Sequence, residues 1–253
     1  MGDLATHARY LIGSAASRLE RAVLASPAFP LTRLAPRGRH WLYDVQRFIG
    51  SRDVGVVFDV GANVGQTAAL LTGFCRRSPI YCFEPVSSAF AQLQARFGAR
   101  VRCVQAAFGR EPGVQPIKLF ADSEINTFAS PRTTAPCLGV EDVPVTTIDA
   151  FCTEQGVPQV GILKLDVQGW EMEALAGARE MLSRRAIQVV YAEVGFRERD
   201  TDMQPFAELN AFLQHAGFEF CGLYENFRWG RSKAYVGFAN ALYVLPRPAE
   251  ASA

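Results

Sequence analysis

A chain of 253 residues with 49% hydrophobic side chains holds enough apolar surface for one sizeable domain core, which excludes a disordered or fibrous protein. A formal net charge of +1 lacks the basic excess of a nucleic-acid binder, and no nucleic-acid partner is expected. The six cysteines, Cys75, Cys82, Cys103, Cys137, Cys152 and Cys221, form no C-x-x-C pair, so reduced thiols in a cytoplasmic setting are expected.

At the N-terminus, Leu4, Ala8, Leu11, Ile12, Ala15, Leu19 and Val23 recur at helical spacing between charged residues. This predicts an amphipathic helix with no integral membrane segment, since Arg and Glu interrupt any apolar run. Prolines and arginines between Ser26 and Arg39 read as a linker, followed by an aromatic helix with Trp41, Tyr43 and Phe48. Residues 1–50 are therefore assigned to a helical extension with linker, and residues 51–248 to the main domain.

From Gly55 the chain alternates apolar strands with helical stretches: VVFDV, IYCFE, VRCVQAAF, ILKLDV, IQVVYAEV and finally ALYVLP. Such alternation predicts an α/β domain with a doubly wound parallel sheet. The crossover helices are predicted over Gln66–Arg76, Ser87–Phe97, Trp170–Ser183 and Pro205–Ala216, the last stopped by Gly217. Between Arg110 and Val157, PIKLF and VPVTTIDAF flank a polar stretch, which predicts a hairpin-like insertion carrying a loop over the site.

The first strand runs directly into GANVGQTAALL, placing Asp59, Gly61, Asn63 and Gly65 where open α/β sheets bind ligands. Glycines let the backbone approach a ligand, and the amides of the helix start favour an anionic group such as a carboxylate. Glu84 ends the second strand, at the spacing from Gly65 where an acidic side chain accepts hydrogen bonds from ribose hydroxyls. The turn reads G-x-x-x-G rather than G-x-G-x-x-G, which argues against NAD, and no Gly-Lys-Ser or Gly-Lys-Thr makes a phosphate loop.

The blocks DVGANVGQ, FEP and LKLDVQGWEMEALAGA, in this order, resemble the signature blocks of FkbM-type methyltransferases over roughly Val54 to Gly195. The resemblance implies a class I methyltransferase-like doubly wound sheet, mostly parallel with a terminal antiparallel strand. It also implies S-adenosylmethionine as cofactor, with Asp59, Gly61, Asn63 and Gly65 around the methionine portion, Glu84 on the ribose, and Pro85 and Gln105 to Ala107 beside adenine. Gln168 stands where the family commonly has Glu, removing a negative charge beside Asp166.

Lys164 and Asp166 alternate along ILKLDV and share one side of the strand, crowded by Glu171. They are expected either to orient the acceptor and handle its proton or to stitch the sheet edge as an ion pair. Glu193 ends IQVVYAEV and opens into the same crevice as a candidate base or structural carboxylate. Asp166 and Glu193 lack an identifiable third ligand, so no metal is assigned. Among the histidines, His40 is expected to pack beside Trp41 or reach the site as a lid, and His215 to neutralise a helix end. Ser123, Asn126 and Thr127 suit a polyhydroxylated acceptor or a solvated loop, and Phe196, Tyr224, Phe227, Trp229 and Tyr235 suit sugar stacking or core packing. The expected activity is methyl transfer to a hydroxyl of a sugar, glycan or secondary metabolite. The alternatives are a binding module without turnover and an NAD-type oxidoreductase.

Overall fold

The computed structural model describes residues 19, 36–51, 53–129, 135–197 and 203–247. Strands β1 (Val56–Val60), β2 (Ile80–Phe83) and β3 (Arg102–Val104) pair in parallel, and so do β1, β7 (Val160–Leu165) and β8 (Ile187–Gly195). Almost every side chain of β1, β2, β7 and β8 is buried, because helices cover both faces of a parallel sheet. Beyond β8 lie β10 (Tyr235–Val244) and β9 (Glu219–Trp229), both joined in antiparallel fashion, which gives the order β3-β2-β1-β7-β8-β10-β9. The strand order reverses between β1 and β7, and there the crevice at the carboxyl ends of the strands opens. This is the mostly parallel, doubly wound arrangement that the resemblance implies, with β10 as its antiparallel terminal strand.

The crossovers are α2 (Gln66–Phe74), α3 (Ser87–Phe97), α4 (Ile148–Glu154) and α7 (Phe206–His215), the last ended by Gly217 at φ +87. Instead of one helix over Trp170–Ser183, the chain forms α5 (Glu171–Ala176) and α6 (Arg179–Ser183). Gly177 separates them, lying so close to the Gly109 carbonyl that a Cβ would approach it to 2.1 Å. Asp149 then restarts the helix by accepting from the amides of Glu180 and Met181.

The stretch VRCVQAAF divides between β3 and β4 (Ala107–Phe108), and β4 joins β6 (Gly139–Thr146) and β5 (Gly113–Leu119) in a separate three-stranded sheet. Strands β5 and β6 form the expected hairpin, and a 3₁₀ turn at Ser123–Ile125 lies in the loop between them. Strand β9 was not expected from the sequence. Gly222 at φ +153, Glu225 at φ +51 and the register shifts against β10 break the regular alternation that identifies strands.

The helix expected within the N-terminal extension, α1 (Trp41–Ile49), packs into the core. Trp41 stacks on Tyr191 at 4.1 Å, Leu42 and Val45 are fully buried, and the Tyr224 hydroxyl donates to Asp44 at 2.7 Å. Helix α1 thereby packs against strands that follow the boundary expected at residue 50. The amphipathic helix expected upstream lies outside the described residues apart from Leu19. Among the described residues no helix is long and apolar enough to cross a membrane.

Candidate active site

Strand pairing alone assembles the charged groups. Asp59 of β1 is opposite Lys164 of β7, and Lys164 is opposite Tyr191 of β8, so all three share one face of the sheet. Two residues further on, Gly61 and Asp166 continue the rows just past the ends of β1 and β7, and Glu193 continues the third near the end of β8. Lys164 Nζ lies 3.0 Å from Asp59 Oδ1 and 3.3 Å from Asp166 Oδ2. Burial disfavours the lysine charge, but the two carboxylates outweigh it and hold Lys164 protonated above its ordinary range. Burial pushes the Asp59 carboxyl up, opposed by Lys164. The pair sits in the middle of the sheet, not at its edge.

A cavity of about 670 Å³ opens over these rows. Of the residues singled out in the sequence, Gly61, Asn63, Glu84, Pro85 and Ala107 line one part, and Lys164, Asp166 and Glu193 another. Asp59 and Gly65 are not among its walls. Asp59 is fully buried behind them under Lys164, and Gly65, at φ +97, lets α2 approach α3, because a Cβ there would lie 2.4 Å from the Phe97 ring. Gly61 is likewise a close-packing glycine: at φ +76 its absent Cβ would fall 1.9 Å from the Asp166 carbonyl.

Glu84 is 6% exposed. Its Oε2 accepts from the Asn63 amide and its Oε1 from the Val86 amide, each at 2.9 Å. Burial pushes its carboxyl up to about 7, against the pull of these two donors. The Gly61 and Ala62 amides both donate to the Phe83 carbonyl and the Gly65 amide to Ala62, so the turn itself is internally bonded. The amides left for a ligand belong to the first turn of α2, whose Gln66 and Thr67 line the cavity.

Opposite Glu84 stands a carboxylate cluster. Gln168 Nε2 donates to Asp166 Oδ1 at 3.2 Å and to Glu193 Oε2 at 2.7 Å, bridging the two acids with one amide. Gln168 has φ +51 and Gly169 φ +87, a tight turn fixed by Thr127 Oγ1, which donates to the Gln168 carbonyl at 2.7 Å. Burial raises Glu193 well above the usual carboxylate range, and the charges of Asp166 and Glu171 add to the shift. Glu171, fully buried and pushed up to about 7, accepts from the Val167 amide and supports the turn from behind.

Besides Thr127, the insertion is tied to the site through Ser123 and Glu124. Ser123 Oγ donates to Asn63 Oδ1 at 2.9 Å, and Gln66 Nε2 donates to Glu124 Oε1 at 2.8 Å. Asn126 lines the cavity, while its Oδ1 accepts from the Phe120 amide. His40 packs between Tyr43 and Phe74, where burial lowers its pKa to about 4, away from the cavity. Sequence reasoning did not single out Phe128 and Trp170, whose rings meet at 4.9 Å in the cavity wall, nor Phe238 and Met203. Their signal was absent because each comes from a loop or strand whose neighbours in space are distant in sequence.

Two curated relatives align with most of this domain. The 2-O-methyltransferase NoeI of Sinorhizobium fredii (strain NBRC 101917 / NGR234) is 25% identical over 170 residues, covering 61% of this chain and 70% of the relative. The 31-O-demethyl-FK506 methyltransferase FkbM of Streptomyces tacrolimicus is 28% identical over 193 residues, covering 64% and 72%. A solved methyltransferase FkbM from Methylobacillus flagellatus KT superposes with a TM-score of 0.48 at 18% identity, over 74% of this chain, which spans 42% of that protein. Residues 59–220 match the family model of the methyltransferase FkbM domain, and the chain belongs to that family of methyltransferases.

Proposed function

We propose that this protein is an S-adenosylmethionine-dependent O-methyltransferase acting on a hydroxyl of a sugar, glycan or secondary metabolite. The observation that carries the reading is a single cavity with a buried carboxylate, Glu84, on one side and the Asp166–Gln168–Glu193 cluster on the other. The names of the two relatives, a 2-O-methyltransferase and a 31-O-demethyl-FK506 methyltransferase, support oxygen as the acceptor atom. Residues 51–248 carry the activity in this reading, with α1 as part of their support. Six unpaired cysteines favour a cytoplasmic setting.

The donor set suits the cofactor. Each oxygen of Glu84 accepts one backbone amide, and its remaining lone pairs suit ribose hydroxyls. Pro85, Ala107, Phe108 and Ile117 give the neighbouring wall an apolar character fit for adenine. Gly61, Asn63 and the first turn of α2 border the space assigned to the methionine portion. Asp59 and Gly65 act one layer back, through Lys164 and through helix packing. When bound, S-adenosylmethionine supplies an electrophilic methyl group on a sulfonium.

The protein must align the acceptor oxygen with that methyl and take its proton. Lys164, held protonated by two acids, is not the base; it fixes Asp166 at the cavity wall. Glu193, raised by burial and by the charges of Asp166 and Glu171, is the base of this cluster once ionised. The proton of the hydroxyl that receives the methyl group would pass to Glu193. Asp166 and Gln168 hold the hydroxyl in line.

Isothermal titration with S-adenosylmethionine, S-adenosylhomocysteine and NAD tests the reading. Binding of the first two without NAD is expected and justifies a screen of hydroxyl acceptors. NAD binding would favour the oxidoreductase alternative, and cofactor binding with no transfer to any hydroxyl acceptor would favour a module without turnover.

A further inference from the structure

Four aromatic residues meet at the tip of the β9–β10 hairpin, at the outer end of the cavity. Phe227 and Trp229 alternate along β9 and so share a face, and their partners across the ladder are Phe238 and Tyr235. Phe227 stacks on Phe238 with centroids 4.8 Å apart and planes 7° apart, and Trp229 meets Phe227 edge-on at 4.8 Å. The Trp229 indole lies against the backbone of Gly237: a Cβ there would come within 2.0 Å of Nε1 and 2.1 Å of Cδ1. Glycine inside a strand weakens it, so a glycine that provides the seat for an indole calls for a reason in the site itself.

Trp229 is 44% exposed and Tyr235 is 68% exposed, a large apolar area to leave in water. Phe227 already has a cationic partner, the Lys233 ammonium 5.1 Å from its ring centre. Trp229 and Phe238 line the same cavity as Asp166, Gln168 and Glu193, with Met203 alongside. On β8 the strand register places Gly195 opposite Phe238 and Glu193 opposite Asn240, so the aromatic rings and the acids adjoin on neighbouring strands.

We propose that this hairpin tip, with Trp229 seated on Gly237, is the acceptor platform, stacking on the apolar face of a saturated ring whose adjacent hydroxyls reach Asp166, Gln168 and Glu193. The inference rests on the methyltransferase reading and deepens it. An aromatic plane beside a compact cluster of two acids and an amide selects a molecule that is apolar on one face and polar at its edge. Adjacent hydroxyls match the cluster because Gln168 holds the two carboxylates a single amide nitrogen apart. A pyranoside and a hydroxylated cyclohexane of a secondary metabolite share this chemistry. Trp229 is a positioning residue: it holds the ring so that one hydroxyl faces Glu193.

Saturation-transfer NMR on the full chain with bound S-adenosylhomocysteine tests the platform, using methyl glucopyranoside, methyl galactopyranoside and trans-1,2-cyclohexanediol as probes, with cyclohexanol lacking the second hydroxyl. The proposal expects saturation of the C–H protons on one ring face of a glycoside or of the diol, and weaker transfer to cyclohexanol. Trp229→Ala should reduce the signal about fivefold or more. Gly237→Val, which keeps the tryptophan but displaces the indole, should reduce it similarly, while both variants keep wild-type affinity for S-adenosylhomocysteine. Transfer to glycosides alone assigns a sugar acceptor, and transfer to the diol alone assigns a carbocyclic one. S-adenosylhomocysteine binding with no transfer to any probe, or transfer unchanged in both variants, overturns the platform and leaves the methyltransferase reading standing. Failure to bind S-adenosylhomocysteine overturns both.

Discussion

Replacing Glu84 with Gln separates the affinity and the stability that this buried carboxylate controls. A charge-assisted hydrogen bond contributes about 1.5–3 kcal/mol, so the variant should bind S-adenosylhomocysteine roughly 10- to 100-fold more weakly near pH 8.5. Because burial pushes Glu84 up to about 7, wild-type affinity should also fall on acidification. At about pH 6 roughly nine-tenths of the free protein carries the proton, which weakens binding about tenfold, whereas the Gln variant should be flat.

Stability moves the other way. The folded pKa lies above the unfolded value of 4.5, so the group's stabilising contribution is fully present below that value and is lost as pH rises through about 7. For a group this buried the loss is roughly 3 kcal/mol by about pH 8.5, and Glu171, also pushed up to about 7, adds a similar loss over the same window. Glu84→Gln removes its own share but leaves the Asn63 or Val86 amide facing an NH₂ group, which costs about 1–3 kcal/mol. Urea unfolding at the two pH values should therefore show a smaller pH-dependent loss in the variant than in the wild type. Titration calorimetry reads the affinities. A wild-type affinity independent of pH, together with undiminished binding by a folded Gln variant, refutes the ribose assignment.

Asp166→Asn should lower turnover more than cofactor affinity, and it removes a charge that raises Glu193, so the acid limb of the pH–rate profile should move to lower pH. An unmoved limb in stopped-time assays separates Asp166 from the base. Lys164→Met leaves Asp59 fully buried without its cation and should destabilise the fold by about 3–5 kcal/mol, with partial recovery in the Asp59→Asn, Lys164→Met double variant, read by urea midpoints. Gly61→Ala places a methyl 1.9 Å from the Asp166 carbonyl in left-handed backbone, so a loss of at least ~2 kcal/mol and weakened cofactor binding are expected from the same measurements.

Much of the candidate site was legible because strand ends in a parallel sheet are set by local pattern. Apolar runs located β1, β2, β7 and β8, their carboxyl ends carry Gly61, Glu84, Asp166 and Glu193, and the crevice lies where strand order reverses. Lys164 and Asp166 were recognisable as a pair from alternation alone, but the partner that holds the lysine, Asp59, comes from the adjacent strand and becomes visible only through register. Gln168 read as a lost charge; folding turned it into the bridge between Asp166 and Glu193, because the left-handed turn at Gln168 and Gly169 aims its amide at both.

By itself, the sequence determined the α/β class, the βα turn that approaches a ligand, the acid ending β2 and the hairpin insertion, since each depends on periodicity or on residues adjacent in the chain. Only the tertiary structure decided that α1 belongs to the core, that Asp59 and Gly65 stand behind the cavity wall, that Gly177 splits a helix, and that Trp229 lies on Gly237 beside the acids. Those outcomes depend on which strands and helices come within a few ångströms of one another, a separation in space that no spacing along the chain encodes.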